Sequence, residues 1–115
     1  MDTSFLDSTL DRTTIQPDEI LAPDQLTAWY RAMTLARKCD QKLAALYRQG
    51  KIVGAVYLGI GQEAICTGAV SLLQPNDYFS TVARGLAGWF LRGVEPKHVM
   101  ARWLGRDVPP SHGRE

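Results

Sequence analysis

The side chains of this 115-residue chain that could do chemistry are two histidines, two cysteines, one tyrosine ahead of a Gly-x-Gly, and scattered arginines and carboxylates. They make no self-contained catalytic set: there is no Gly-x-Ser-x-Gly, no phosphate-loop signature, and no Cys-x-x-Cys or Cys/His cluster with metal-ligand spacing. His98 stands among Lys97 and Arg102 in a helical pattern, which reads as a solvent-facing residue rather than a general base. His112 falls in a polar tail and its role stays open. Cys39 and Cys66 lie far apart inside apolar helical patterns and read as reduced core cysteines. Gly59-Ile60-Gly61 is too little for a phosphate loop and suits a tight turn before a small-residue helix. Gln62 and Glu63 open that helix, where its dipole favours an acid and a side-chain amide can satisfy loop backbone groups, so both read as structural. A guanidinium forks onto either a phosphate or a carboxylate; on residue chemistry alone, Arg84 reads as the partner of a nearby acid such as Asp77.

The elements that must position these groups follow from hydrophobic period and punctuation. From Asp24, a plausible N-cap, apolar residues recur at Leu26, Trp29, Tyr30, Met33, Ala36, Leu43, Leu46 and Tyr47. That stripe predicts a helix of about six turns, closed by Gly50. Residues 51–60 carry Gly54 and Gly59 around a short apolar run and should be extended or looped. A second helix starts near Gly61, with Ala64, Ile65, Gly68, Ala69, Leu72 and Leu73 on one face, and ends before the Pro75-Asn76-Asp77 turn. Tyr78 to Val82 has the composition of a short strand. Arg84 to Arg92 reads as a third helix, in which Gly85 and Gly88 each cost about 1 kcal/mol relative to Ala. Pro96 suits the first turn of a fourth helix, whose face is Val99, Met100, Trp103 and Leu104 and whose end is Gly105. Residues 1–23 hold no sustained period and read as an N-terminal arm ahead of a single domain at 24–115.

Composition is ordinary for a folded chain, with 45% hydrophobic and 22% charged residues. A domain of this size buries somewhat over ~60% of the surface its unfolded chain exposes, enough for a modest core. Thirteen basic against twelve acidic residues leave a net charge of +1, which provides no field to recruit nucleic acid or an anionic membrane. No basic n-region precedes an apolar run at the start, and no apolar stretch has spanning length, so a cytoplasmic location is the expectation.

Leu46-Tyr47-Arg48-Gln49-Gly50-Lys51-Ile52-Val53-Gly54, then Ile60-Gly61-Gln62-Glu63-Ala64, then Asp77, Arg84 and Gly93 stand at characteristic spacings. With Tyr30-x-x-Met33 and Arg37-x-x-Asp40, they resemble the alpha subunit of the first, decarboxylating component of pyruvate, acetoin and branched-chain 2-oxo acid dehydrogenase complexes. The resemblance runs from about Leu26 to Glu115, and the Gly-Gln-Glu-Ala block is its most specific part.

This resemblance implies the N-terminal part of an α/β thiamine-diphosphate-binding fold, mainly α-helical as it stands, with one or two short strands. It implies an oxidoreductase that decarboxylates pyruvate or a related 2-oxo acid and passes the acyl unit to lipoamide, built as an alpha-beta heterotetramer. The implied partners are a beta subunit and the lipoyl-bearing acyltransferase, and the implied cofactors are thiamine diphosphate and Mg²⁺. Arg84 matches the arginine that the family places on the cofactor diphosphate, and Tyr57 stands where pyruvate-type members have a histidine, so its hydroxyl either lines the pocket or its ring fills a subunit interface. Ala83 and Leu86 replace a tyrosine and a histidine often found beside that arginine. The family's Gly-Asp-Gly metal motif falls beyond residue 115, so the metal ligands are expected outside this chain, which is expected to be inactive alone. A second reading takes the chain as a non-catalytic helical module that binds a beta-type subunit or itself through apolar surface around Trp29, Trp89 and Trp103.

Overall fold

A computed structural model describes residues 21–109 and 111–114, so the arm assigned to 1–23 lies almost wholly outside the described residues. Four helices carry the fold: α1 (Pro23–Arg48), α2 (Glu63–Ser71), α3 (Leu86–Leu91) and α4 (Pro96–Trp103). The mainly helical expectation holds, while the expected strands do not appear among the described residues. A strand needs a neighbour to complete its ladder, and Tyr78–Val82 has none among the described residues: Tyr78 is 99% exposed and Val82 is largely exposed too.

α1 begins one residue earlier than its expected cap. Pro23 occupies the first turn, where its missing N–H costs nothing, and the extended Ala22 precedes it without a side-chain cap, so Asp24 is not the N-cap. Its carboxylate instead sits inside the first turn, at the positive end of the helix dipole. The far end stops as expected: Gly50 takes φ +69°, its N–H donates to the Tyr47 carbonyl at 2.9 Å, and Lys51 N–H donates to the Leu46 carbonyl at 3.0 Å. This pair of bonds is a Schellman closure.

The buried row of α1 is Ala32, Ala36, Cys39, Asp40 and Leu43. Leu26, Tyr30 and Tyr47, counted on the expected apolar stripe, are exposed. Small side chains face inward because α1 meets α3 and α4 closely: Ala36, Cys39 and Leu43 form one core with Ile52, Leu86, Ala87 and Val99. Met100, Trp103 and Leu104 pack against it, so the expected face of α4 is the packed one, and Gly105 follows at φ +60°.

α2 starts at Glu63, two residues later than expected, and turns its other face inward. Glu63, Thr67 and Val70 are buried, while Ile65 is 73% and Leu72 80% exposed. The reason is α3. A Cβ added at Gly88 would lie 2.7 Å from Cys66 Sγ and 2.8 Å from Val70 Cγ2, so the two helices touch at a glycine and the inward face of α2 is fixed by that approach. α3 is only six residues long and excludes both Arg84 and Arg92, because Gly85 N–H closes a turn onto the Val82 carbonyl at 3.0 Å before the helix begins. No described helix is long and apolar enough to cross a membrane.

Candidate functional site

Between α1 and α2, residues 51–62 form no regular element, so their amides need other acceptors. Two carboxylates supply them. Gly59 N–H donates to Asp40 Oδ2 at 2.9 Å, and Gly61 N–H donates to Glu63 Oε2 at 2.9 Å. Glu63 is itself gripped by the Arg37 guanidinium, whose Nη2 donates to Oε2 at 2.9 Å while Nε donates to Oε1. The loop is thus tied to α1 through Asp40 directly and through Arg37 indirectly. Gly61 adopts φ +92°, which only glycine takes without strain.

The two acids titrate in opposite directions. The Arg37 bond holds the Glu63 carboxyl below its ordinary value, with the Gly61 amide adding to the effect and burial opposing it. Burial pushes the Asp40 carboxyl above its ordinary value; the Gly59 amide and Arg37 counter this, and the Glu63 charge adds to it. Asp40 is 2% exposed and its Oδ1 has no hydrogen-bond partner among the described residues. Burial also raises the Cys39 thiol, with the Asp40 charge acting the same way, which leaves a free but unreactive core cysteine.

The pinned loop leans on the segment that carries Arg84. A Cβ at Gly59 would stand 2.4 Å from the Arg84 carbonyl oxygen and 3.3 Å from its Cα, so backbone touches backbone there. Arg84 lies on the rim of a cleft of about 400 Å³ whose walls include Gln62, Ile65, Ala69, Phe79 and Val82. Its guanidinium is exposed and makes no hydrogen bond or ion pair among the described residues. The pairing with Asp77 does not form: Asp77 Oδ2 accepts from Gln74 N–H at 2.7 Å, and Arg92 donates to the carbonyls of Gln74, Pro75 and Asp77 at 3.0–3.1 Å. Arg84 therefore offers a charged fork to an anion from outside.

Residues 30–115 match the family described as dehydrogenase E1 component. The chain belongs to that family. Its relatives include the pyruvate dehydrogenase E1 component subunit alpha of Porphyra purpurea, 35% identical over 82% of this chain and 27% of that protein. The subunit of the same name from Zymomonas mobilis is 37% identical over 79% of this chain and 26% of that protein. The mitochondrial one of Saccharomyces cerevisiae is 34% identical over 77% and 21%. The chain spans about a quarter of the length of the curated relatives it matches. No solved structure matches it significantly.

Within the E1 segment, the two residues singled out for the cofactor are not brought into one pocket. Tyr57 is 57% exposed, its hydroxyl has no hydrogen-bond partner among the described residues, and the cleft at Arg84 does not include it. Leu86 is fully buried in the core against α1, so this position does not face the Arg84 cleft. His98 is half-buried rather than solvent-facing and lines a separate cleft of about 360 Å³ with Phe79, Trp89 and Val94. His112 pairs with Asp107 at 2.8 Å in the exposed tail.

Two residues that shape this geometry carry little sign of it in the sequence. Asp40 appeared only as part of a helix motif, and its one available signal was an acid on the inward row of α1. Arg92 carries no sequence signal for its three carbonyl contacts. The glycines of Gly59-x-Gly61 spend their N–H groups on carboxylates and so cannot cradle a phosphate, in line with a packing role. Among the described residues no group of three or more His, Cys, Asp or Glu could hold a metal ion.

Proposed function

We propose that this chain is the N-terminal portion of the alpha subunit of a thiamine-diphosphate-dependent 2-oxo acid dehydrogenase, of the pyruvate or a closely related type. The observation that carries the reading is Arg84: a guanidinium without a partner among the described residues, on a backbone wedged against a loop that buried or partly buried acids hold in place. This arrangement suits a diphosphate, because a planar guanidinium can donate two parallel N–H bonds to phosphate oxygens. Arg84 gives the diphosphate a cationic partner, and the oxygen ligands of Mg²⁺ are assigned in this reading to the rest of the subunit.

When bound, thiamine diphosphate supplies the carbon nucleophile that attacks a 2-oxo group and takes up the electrons released with CO₂. The part of this chain is to bind and orient: Arg84 neutralises charge on the pyrophosphate, and Gly59 and Gly61 hold the neighbouring loop at a fixed distance. Tyr57 stands exposed on that loop, outside the Arg84 cleft, and would meet the cofactor from there. The exposed apolar side chains of Ile65, Leu72 and Tyr78 support burial against further chain of the same α/β fold or a beta subunit, in a cytoplasmic heterotetramer serving a lipoyl-bearing acyltransferase. Reconstitution of the complete alpha subunit with its beta subunit tests the reading. Release of CO₂ from pyruvate, or from a branched-chain 2-oxo acid, is the expected result; an assembly inert towards every 2-oxo acid would refute it.

A further inference from the structure

Asp40 is an unusual residue to bury. An ionised carboxylate that is 2% exposed carries a large desolvation cost, and among the described residues a single backbone N–H bonds to it while Oδ1 has no partner. An apolar side chain of similar size would fill the same space between α1 and the loop at less cost. What an apolar side chain lacks is direction: only an acceptor at this point fixes the Gly59 amide, 19 residues along the chain. Gly59 in turn has no Cβ, and its Cα side is in contact with the Arg84 carbonyl. The contacts therefore run from Asp40 on the long helix α1, through the Gly59 peptide, to the backbone of Arg84.

We infer that Asp40 is a positioning residue for the diphosphate site: by holding Gly59 N–H it sets the seat against which the Arg84 backbone rests, and so the reach of the Arg84 guanidinium. The inference rests on the reading of Arg84 given above. The Arg37–Glu63 pair, which holds Gly61 two residues further on, anchors the other end of the same turn.

Asp40→Asn retains a carbonyl oxygen at the position of Oδ2, whereas Asp40→Ala removes every acceptor. In the complete alpha-beta assembly, hydrogen exchange at the Gly59 amide without cofactor and calorimetric affinity for thiamine diphosphate with Mg²⁺ are measured for both variants and for Arg84→Ala. The expected result is faster Gly59 exchange and at least about tenfold weaker cofactor binding in Asp40→Ala, with both restored in Asp40→Asn. Equal weakening in Asp40→Asn and Asp40→Ala, or fast Gly59 exchange with unaltered affinity in Asp40→Ala, overturns the positioning role. Those outcomes leave Arg84 untouched, whereas unaltered affinity in Arg84→Ala overturns the site reading itself. If Asp40→Ala fails to assemble, Asp40→Asn decides alone: slow Gly59 exchange with wild-type affinity supports the inference, and slow exchange with weakened affinity opposes it.

Discussion

Asp40 and Glu63 are carboxylates in one network, yet acid acts on them with opposite sign. Glu63 has a folded value below its ordinary 4.5, so its contribution to stability is complete above that pH and is lost as pH falls through the lower folded value. Asp40 has a folded value above its ordinary 3.8, so its charge costs stability at neutral pH and protonation relieves that cost as pH falls through the raised value. Urea midpoints followed into acid should therefore drop less steeply for Glu63→Gln than for the wild type, while Asp40→Asn should drop more steeply; parallel curves for all three would contradict the directions given. Gly59 gives a second expectation. Because its absent Cβ faces a main-chain oxygen that no rotamer can move, Gly59→Ala should cost about 1–3 kcal/mol in urea unfolding, and a neutral effect would mean the loop does not rest on Arg84. At this scale the sequence was legible in types but not in partners. Arg84 could be matched, and its separation from Asp77 could not, since that depends on Arg92 and Gln74 occupying the turn.

At the scale of elements, helix number and order were readable from period and punctuation, and the stops at Gly50 and Gly105 fall at positive φ as expected. Which face turns inward was not readable for α2. Ile65, Ala69 and Leu72 form the more apolar row, yet Thr67 and Val70 are buried, because α3 presents Gly88 to Cys66 and Val70 and Arg37 pulls Glu63 inward. Tertiary contact overrode hydrophobic pattern. Gly88→Ala weighs the two effects against each other: helix propensity favours alanine by about 1 kcal/mol, and overpacking opposes it by about 1–3 kcal/mol. Net destabilisation in chemical denaturation is expected, and a more stable variant would show that α2 and α3 are further apart. Tyr78–Val82 failed as a strand for a related reason, since composition suits a pleated surface but pairing needs a neighbour.

The described residues leave much apolar surface uncovered, notably Ile65, Leu72, Tyr78 and Val82. The 115-residue chain by itself should self-associate in sedimentation velocity, and Ile65→Ser with Leu72→Ser should shift it towards monomer; a monodisperse wild-type monomer at high concentration would contradict this. The family was legible because several ungapped blocks coincide, whereas the substrate was not, since selectivity is a difference in pocket contacts and this chain covers about a quarter of its relatives' length. What can be tested most directly is the charge at position 84. Calorimetric titration of thiamine diphosphate with Mg²⁺ into the complete alpha-beta assembly should show binding weakened by about tenfold to a hundredfold in Arg84→Ala, with partial recovery in Arg84→Lys. Binding as tight in Arg84→Ala as in the wild type would contradict the assignment of this guanidinium to the diphosphate.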